Sequence, residues 1–560
     1  MPDSPLRRLL PVAAIALAAG LYVLDRRGVL AGSGHLLFDL NPAEQGFLRV
    51  VAPWLDAPLG DILTDPVRRA RFLRDSQAVG NQVHGTLALS ATATHAAVRA
   101  GAPAGTLTLR LLALAGSTAA LVLWMSTLWR RTRSLAAPVA FAALYTVAPA
   151  ALLKLSLVHW GTHEVVLLLH AALVAALAGG LDAPGRRAPG WALLAGALAG
   201  PLTVANASLL LPCALVVAWI ALSTPGLGRK VLTLVVGGLA FVAALWLLRE
   251  SGAFAALGHT PDAPLLPGKR GRPFLLEQGE GLGGVRWWSP EVATRAMPWA
   301  PGRGYGAHAA SVERWARGGL LALGVGVAAA FGLQRRARRR RGDGLLAFLG
   351  LSLAVGWVAV TALSQSHGLD PGIVGGIQPR YYAHLYPVAL ALVALWASRA
   401  RWRWGVVGAL LFFAGVEHRQ LFDPAQPSSL AAAPVGRCDA SAAWLRFESD
   451  RRPPPDRVPL GDQSDAFLRG LRVIELWQFP DYWRWYRPAD LPLSRDPARL
   501  RQWAARHDES TRADPDFWRG VGLGLSCVAP RPADRAALLD AIPDGGAALT
   551  EGLEHPGAAR

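Results

Sequence analysis

Polar side chains with acid–base chemistry stand at the head of an apolar run in the stretch VHWGTHEVVLLLHAAL, residues 158–173. His159 and Trp160 come first, and His163 and Glu164 follow them. Imidazole titrates near neutral pH, and a carboxylate can also accept a proton from a hydroxyl group. Polar groups beside a bilayer are costly unless they are paired or hydrated. The stretch is therefore a candidate active site. His163 and Glu164 are its candidate catalytic groups, and His159 and Trp160 are candidate substrate contacts.

A second polar run, IQPRYYAHLYP at residues 377–387, precedes a late apolar segment. The guanidinium of Arg380 is suited to clamp a phosphate with two parallel hydrogen bonds. Tyr381 is a candidate for the same substrate site. The alternative is that both residues are interfacial, because arginine extends its charge towards water and tyrosine is enriched at membrane surfaces.

Candidate general bases lie in the long polar segment that follows the first apolar run. Asp39 is the first choice for a catalytic carboxylate and Asp75 is the second, while His84 is a candidate substrate contact. The alternative for Glu164 is structural, since an anion is favourable in the first turn of a helix.

A metal site is a weaker interpretation of the same residues. His159 and His163 are four residues apart and share a helix face, and Glu164 or His84 could complete a ligand set. However, zinc requires three or four ligands in fixed geometry, and Gly161-Thr162 interrupts the helical pattern. We therefore predict no metal and no other cofactor.

Composition predicts the elements that must position these residues. The chain has 560 residues, of which 52% are hydrophobic, and apolar runs of about 17–24 residues recur over its first 420 positions. This pattern is typical of an all-α polytopic membrane protein. About 11 membrane spans are predicted, at 8–24, 106–127, 134–152, 164–181, 190–204, 206–222, 231–248, 317–333, 344–363, 381–398 and 405–418.

Arginine clusters predict how these spans are oriented. The net charge is +18, but the basic residues fall in short connections, where they set topology, so we do not expect a nucleic-acid partner. An N-terminus in the cytoplasm places almost every cluster on the cytoplasmic side. The large segments 25–105 and 249–316 then lie outside. Arg26 and Arg27 are exceptions, at the outer end of the first span. The alternative for that span is a cleaved signal peptide, which leaves the sidedness unchanged.

Two domains follow from this layout. Residues 1–420 form the transmembrane domain, and residues 421–560 are long enough for a small extracytoplasmic C-terminal domain. An oxidising compartment would permit a disulfide between Cys438 and Cys527, and the alternative is two unpaired buried thiols. Segment 86–98 is predicted as an outer-surface helix.

Several motifs, in order, carry a resemblance to a known family. The region 100–222 begins with a glycine that precedes an arginine by nine residues, continues with an Arg pair after the span, and ends the next span with Tyr-x-x-x-Pro. A Gly-rich hairpin, LLAGALAGPLTVANASLLLPCALV, and the run RYYAHLYP follow. This series resembles the GT-C membrane glycosyltransferases, including the bacterial enzymes related to protein mannosyltransferases and lipid A aminoarabinose transferase. The matching single residues are Gly101, Arg110, Tyr145, Pro149 and Arg380.

The resemblance implies a GT-C-like bundle in a bacterial inner membrane. Its members transfer a sugar from a polyprenyl-phosphate carrier to a lipid or glycan acceptor on the outer face, with an outer-loop carboxylate as base. The family usually has an acidic pair soon after the first span. Here Asp25, Asp39 and Glu44 are separate. The alternatives are a transporter or lipid-handling protein, and a catalytically inactive scaffold of the same fold.

Overall fold

The computed structural model describes the helical framework of the chain and parts of the segments between its helices. The described residues are 5–31, 54–55, 57–79, 82–83, 87–102, 106–148, 152, 156, 163–182, 185–205, 209–250, 343–363, 384–422, 470, 500–501, 504–505, 509–528, 539–540 and 542–554. Side chains within the ranges 73–83, 357–363 and 526–528, and those of a few further helical residues, are not described.

Long apolar helices form the main body of the described chain. In chain order they are α1 Pro5–Ala31, α5 Thr106–Thr132, α6 Ala136–Thr146, α7 His163–Asp182, α8 Ala188–Ala205, α9 Leu210–Ser223, α10 Leu227–Glu250, α11 Asp343–Leu363, α12 Leu385–Ala397 and α13 Trp404–Phe422. A 3₁₀ turn, Arg401–Arg403, leads into the last of them.

Smaller elements lie between and after these helices. The first long segment contains α2 Leu59–Thr64, α3 Pro66–Gln77, α4 Leu87–Arg99, and the two-residue antiparallel strands β1 Ala78–Val79 and β2 Gln82–Val83. The C-terminal part contains α14 Glu509–Ala513, α15 Pro515–Val528, the 3₁₀ turn Pro543–Gly545 and α16 Gly546–Glu554.

The apolar helices make this chain a multi-pass, mostly helical membrane protein. Five helices of the described part are long and apolar enough to cross a membrane: Leu9–Arg27, Leu107–Thr132, Val165–Asp182, Ala188–Ala205 and Leu227–Glu250. At 1.5 Å per residue, the 24 residues of α10 extend about 36 Å, beyond the ~30 Å hydrocarbon core. Shorter apolar helices at Ala136–Thr146, Leu210–Ser223, Gly344–Gly356 and Leu385–Ala397 complete the bundle.

Contacts between helix ends show that the helices alternate in direction. At one end of the bundle, Arg131 at the close of α5 pairs with Asp182 at the close of α7. Gly344, at the start of α11, lies beside Leu181 at the same end. At the other end, Arg26 near the end of α1 donates to the carbonyl of Thr146, the last residue of α6. The two groups of ends therefore lie opposite one another, as alternating spans require.

Glycines allow α8 and α10 to lie close together and parallel. A Cβ at Gly196 would overlap the carbonyl oxygen of Gly237, and a Cβ at Gly200 would lie 2.6 Å from the Cβ of Ala244. Small residues at a helix interface let two backbones approach, which increases van der Waals contact inside a membrane. The contacts advance in the same direction along both helices, so α8 and α10 run parallel. The side of α10 away from α8 is exposed at Val231, Leu239 and Trp246, among others.

The first long segment has a small core around a buried histidine. Trp54, Phe72 and His95 are buried and contact one another edge to face, with ring centroids 5.7 and 6.2 Å apart. The Nε2–H group of His95 donates to the carbonyls of Trp54 (2.8 Å) and Ala57 (2.9 Å). Because both partners are acceptors, the proton of the neutral ring is on Nε2. His95 therefore stabilises this segment from within.

The C-terminal helices α15 and α16 also pack through glycines. A Cβ at Gly522 would overlap the carbonyl of Leu549, and a Cβ at Gly552 would overlap that of Arg519. Arg519 donates to Asp516 and Glu551, each at 2.8 Å, and these bonds raise the pKa of its guanidinium. The predicted boundary of a separate domain at residue 421 stays a prediction.

Most of the predicted membrane spans correspond to helices of the structure. Helices are present at ten of the predicted spans, and the region 190–222 forms two helices, as predicted. The predicted span 317–333 lies outside the described residues. Segment 86–98 is a helix of 13 residues, about 20 Å long, which is shorter than the hydrocarbon core. The count of 11 spans and the side that faces the cytoplasm stay predictions.

The α8–α10 contact gives a matched test. Gly196→Ala should lower the free energy of unfolding by about 2 kcal/mol, because the new methyl group meets a backbone carbonyl that cannot rotate away. Gly238→Ala is the control, since a Cβ there meets nothing within 4 Å. That variant should be neutral or more stable by up to about 1 kcal/mol through helix propensity. Unfolding of both variants in detergent measures the difference, and equal stability would contradict the close approach.

Candidate functional site

A fully buried arginine lies at the end of the bundle where α1, α6 and α13 finish. The guanidinium of Arg26 donates through Nη1 to the Asp25 carboxylate (3.0 Å) and the Tyr22 carbonyl (3.3 Å), and through Nη2 to the Thr146 carbonyl (3.0 Å). Its central carbon lies 3.5 Å from the centroid of the Tyr22 ring. Burying a cation costs several kcal/mol unless it is paired and hydrogen-bonded, and these contacts supply that compensation.

The local sequence explains how this arginine reaches its partners. Tyr22 and Arg26 are four residues apart, so the two side chains share one face of α1 and can stack. Thr146 is the last residue of α6, and carbonyls at a helix C-terminus have no partner within the helix. They carry the negative end of the helix dipole, which favours a cation at this position.

Asp25 connects the buried arginine to the last membrane helix. One carboxylate oxygen accepts from Arg26, and the other lies 3.0 Å from Nε2 of His418 in α13. Asp25 is 29% exposed and His418 is 12% exposed, so both groups sit near the surface of the bundle. A carboxylate, a guanidinium and an imidazole are thus in direct contact. We call Tyr22, Asp25, Arg26 and His418 the arginine cluster.

Hydroxyl groups extend this cluster into the bundle. The Tyr22 hydroxyl donates to Oγ of Ser117 on α5 (3.1 Å), and this Oγ lies 3.2 Å from the carbonyl oxygen of Ser156. The Tyr145 hydroxyl is 3.4 Å from the Ser117 carbonyl. Each of these three hydroxyls therefore has a partner, which lowers the cost of placing it inside an apolar bundle.

Six aromatic rings form a continuous row from the arginine cluster through the bundle. Centroids of successive rings are separated by 5.5, 5.4, 5.6, 6.5 and 5.7 Å, which are typical distances for contacting aromatic groups. The row joins α1, α6, α5, α7 and the residue that precedes α12. In order, its members are Tyr22, Tyr145, Phe141, Trp124, His170 and His384.

The far end of this aromatic row brings together the two polar stretches that the sequence singled out. His170 lies on α7, two turns after His163, and is buried. His384 belongs to the run RYYAHLYP, four residues after Arg380, and is also buried. Their rings meet edge to face at 5.7 Å. The described parts of the two stretches, residues 163–173 and 384–387, therefore adjoin in the fold.

The side chains of the predicted site residues themselves fall outside the described part of the chain. The backbones of Asp75, His163, Glu164 and Cys527 lie in helices, but their side chains are not described. The remaining candidates lie wholly outside the described residues and stay predictions: Asp39, His84, His159, Trp160, Arg380, Tyr381 and Cys438.

Sequence reasoning did not select Arg26 and His418 as candidate site residues. Arg26 appeared only as an exception to the orientation of the other arginines. That exception was the available signal, because an arginine at the outer end of a span beside an acidic residue needs a reason to be there. His418 gave no signal, since nothing in the sequence relates it to a residue 393 positions earlier. Arg110, one of the residues of the GT-C resemblance, is also fully buried.

Comparison with known proteins adds no assignment. No protein-family model matches the chain, and no curated protein or solved structure is significantly similar to it. Among the described residues, no group of three or more histidine, cysteine or acidic side chains has the geometry to hold a metal ion.

The burial of Arg26 predicts a large effect on stability. Arg26→Ala should lower the free energy of unfolding by about 3 kcal/mol, because it leaves Asp25 without its cation at the surface of an apolar bundle. The matched control is Arg27→Ala, since Arg27 is exposed on the same helix. The control should change stability by less than about 0.5 kcal/mol in detergent without added phospholipid. Similar losses in both variants would show that Arg26 does not anchor the helices.

The bridge between α1 and α13 can be measured separately. We expect a double-mutant cycle of Asp25→Asn and His418→Phe to give a coupling energy of about 1 kcal/mol, because the two side chains share one hydrogen bond. Unfolding of the two single variants and the double variant provides the cycle. Additive losses, with no coupling, would mean that the two groups are neighbours without stabilising each other.

Proposed function

We propose that the protein is a GT-C-like membrane glycosyltransferase that moves a sugar from a polyprenyl-phosphate carrier to a lipid or glycan acceptor on the outer face of a bacterial inner membrane. The observation that supports this best is the arginine cluster. It holds a carboxylate at the end of the first membrane helix, close in sequence to the region where the GT-C family usually has an acidic pair. The predicted orientation places this end of the bundle outside.

Asp25 therefore joins Asp39, Asp75, His163 and Glu164 as a candidate catalytic residue. Its carboxylate is partly exposed, so a substrate hydroxyl can reach it. Arg26 holds the carboxylate in one orientation and stabilises its charge, and the hydrogen bond to His418 fixes the second oxygen. Groups positioned in this way need little reorganisation during a reaction.

The chemistry follows from these groups. The carboxylate removes the proton of the acceptor hydroxyl while the oxygen of that hydroxyl attacks the anomeric carbon of the sugar. A carbon–oxygen bond to the acceptor forms while the bond from the anomeric carbon to the carrier phosphate breaks. The polyprenyl phosphate leaves with the bonding electron pair. Arg380, from the run that adjoins α7, is the candidate cation for the leaving phosphate.

The juxtaposition of His170 and His384 supports the same site. His170 follows His163 and Glu164 by about two turns of α7. His384 follows Arg380 and Tyr381 within the same run. The contact between the two rings therefore supports a shared site for the four candidates. The aromatic row connects this region to the arginine cluster. Two regions of the GT-C resemblance that are more than 200 residues apart thus adjoin, as a common substrate site requires.

Transfer of radiolabelled sugar in membranes that contain the overexpressed protein tests the proposal. We expect transfer from a polyprenyl-phosphate sugar by the wild type, and a loss of at least about 100-fold when the catalytic carboxylate is changed to its amide. Asp25→Asn, Asp39→Asn and Glu164→Gln are the variants to compare. Asp61→Asn is the control, because Asp61 is an exposed carboxylate in the first turn of α2.

The outcomes separate the alternatives. Loss of transfer in one amide variant, with Asp61→Asn fully active, identifies the base. Wild-type transfer that all three amide variants retain would refute the assignment of these carboxylates. A third outcome is that the wild type transfers no sugar from any polyprenyl-phosphate donor, although a cooperative unfolding transition shows that it is folded. That result would favour an inactive scaffold or a transport function.

A further inference from the structure

A second feature lies beside Tyr22, where α1 contacts α5. An open apolar groove runs between α1 and α5. Val23 forms its α1 wall, and residues of α5 between Leu111 and Leu123 form the rest, with Thr118 as the polar exception. The hydrogen bond from Tyr22 to Ser117 joins the two helices next to this groove. We call it the α1–α5 groove.

An exposed arginine follows the groove residue of α1 by one helical turn. Arg27 is four residues after Val23, so both residues share one face of α1 and Arg27 lies one turn closer to the end of the helix. Arg27 is exposed, in contrast to the neighbouring Arg26, which is buried on another face. By the predicted orientation this is the outer end, where an arginine is unusual. An anionic partner at this position would account for it.

The length of the groove selects the kind of chain that fits. From Leu111 to Leu123 there are 12 residues of helix, or about 18 Å. One leaflet of a ~30 Å hydrocarbon core is about 15 Å thick, so the groove matches one acyl chain of a bilayer phospholipid. A polyprenyl carrier chain is much longer than the groove.

We propose that the α1–α5 groove binds one acyl chain of an anionic phospholipid of the adjacent leaflet, and that Arg27 pairs with the phosphate of its headgroup. The groove supplies apolar contact along one chain, and the guanidinium supplies two donors to a phosphate. This lipid is a bound component of the bundle and does not depend on the transfer of a sugar. It would fill the surface beside the Tyr22–Ser117 contact and thereby support the helix that carries the arginine cluster.

Photolabelling with lipids tests this inference. The full-length protein is placed in nanodiscs that contain a phosphatidylglycerol with a diazirine in its acyl chain, or a phosphatidylcholine with the same chain, and labelled peptides are mapped by mass spectrometry. We expect labelling between residues 111 and 123, with a preference for phosphatidylglycerol of about fivefold, which one arginine near a membrane surface can supply.

Two variants and two controls make the test specific. Arg27→Gln should remove the preference, whereas Arg249→Gln, at the corresponding end of α10, should keep it. Ala115→Trp should fill the groove and suppress labelling of residues 111–123. Leu239→Trp is its control, since Leu239 is exposed on the far side of α10. Unfolding transitions identify any variant that fails to fold. The comparison of the two lipids on the wild-type protein tests headgroup recognition even if a variant does not fold.

Several results would overturn the inference. Equal labelling by both lipids in the wild type would exclude recognition of an anionic headgroup. Labelling that Ala115→Trp leaves unchanged would exclude the groove as its site. Displacement of the probe by polyprenyl phosphate, but not by unlabelled phosphatidylglycerol, would assign the groove to the carrier lipid.

Discussion

The burial of one positive charge constrains the arrangement of the whole helix bundle. Arg26 has no exposed surface, yet it lies in a helix whose outward residues are apolar. Its charge is tolerable only where a carboxylate, two carbonyl oxygens and an aromatic face surround it. These groups come from α1 itself and from α6, and the carboxylate in turn contacts α13. The ends of three helices must therefore meet at one place.

The aromatic row carries this constraint from α1 to other helices of the bundle. Hydrophobic burial does not distinguish a helix neighbour from a lipid chain, so specific contacts have to hold a membrane bundle together. In this bundle, the contacting aromatic rings and the close approach of helices at glycines supply these specific interactions. Tyr145 and Phe141 lie four residues apart on α6, and Trp124 continues the row on α5. The glycines of α8 and α10 serve the same purpose on the opposite side of α7.

The sequence predicts the helices far better than it predicts their neighbours. Apolar length located the ten apolar helices of the described bundle, because the thickness of a bilayer sets that length. The pairing of Asp25 with His418 could not be predicted, since a hydrogen bond across 393 residues leaves no periodic trace. The helix ends were harder to predict than the helices. Within the span predicted at 134–152, the described helix is Ala136–Thr146, and the carbonyl of its last residue accepts a hydrogen bond from Arg26.

Sequence reasoning selected residues by their chemistry, whereas the described contact between these regions is a packing contact. His163 and Arg380 were selected as candidate site residues and stay predictions, and among the described side chains the rings of His170 and His384 make the contact. Those histidines gave no separate signal, because a histidine in an apolar run is compatible with a buried ring that only packs. An arginine at the outer end of a span is more informative, since its cost in free energy demands a partner. In a membrane protein, the exceptions to the charge pattern are thus the first places to look for a site.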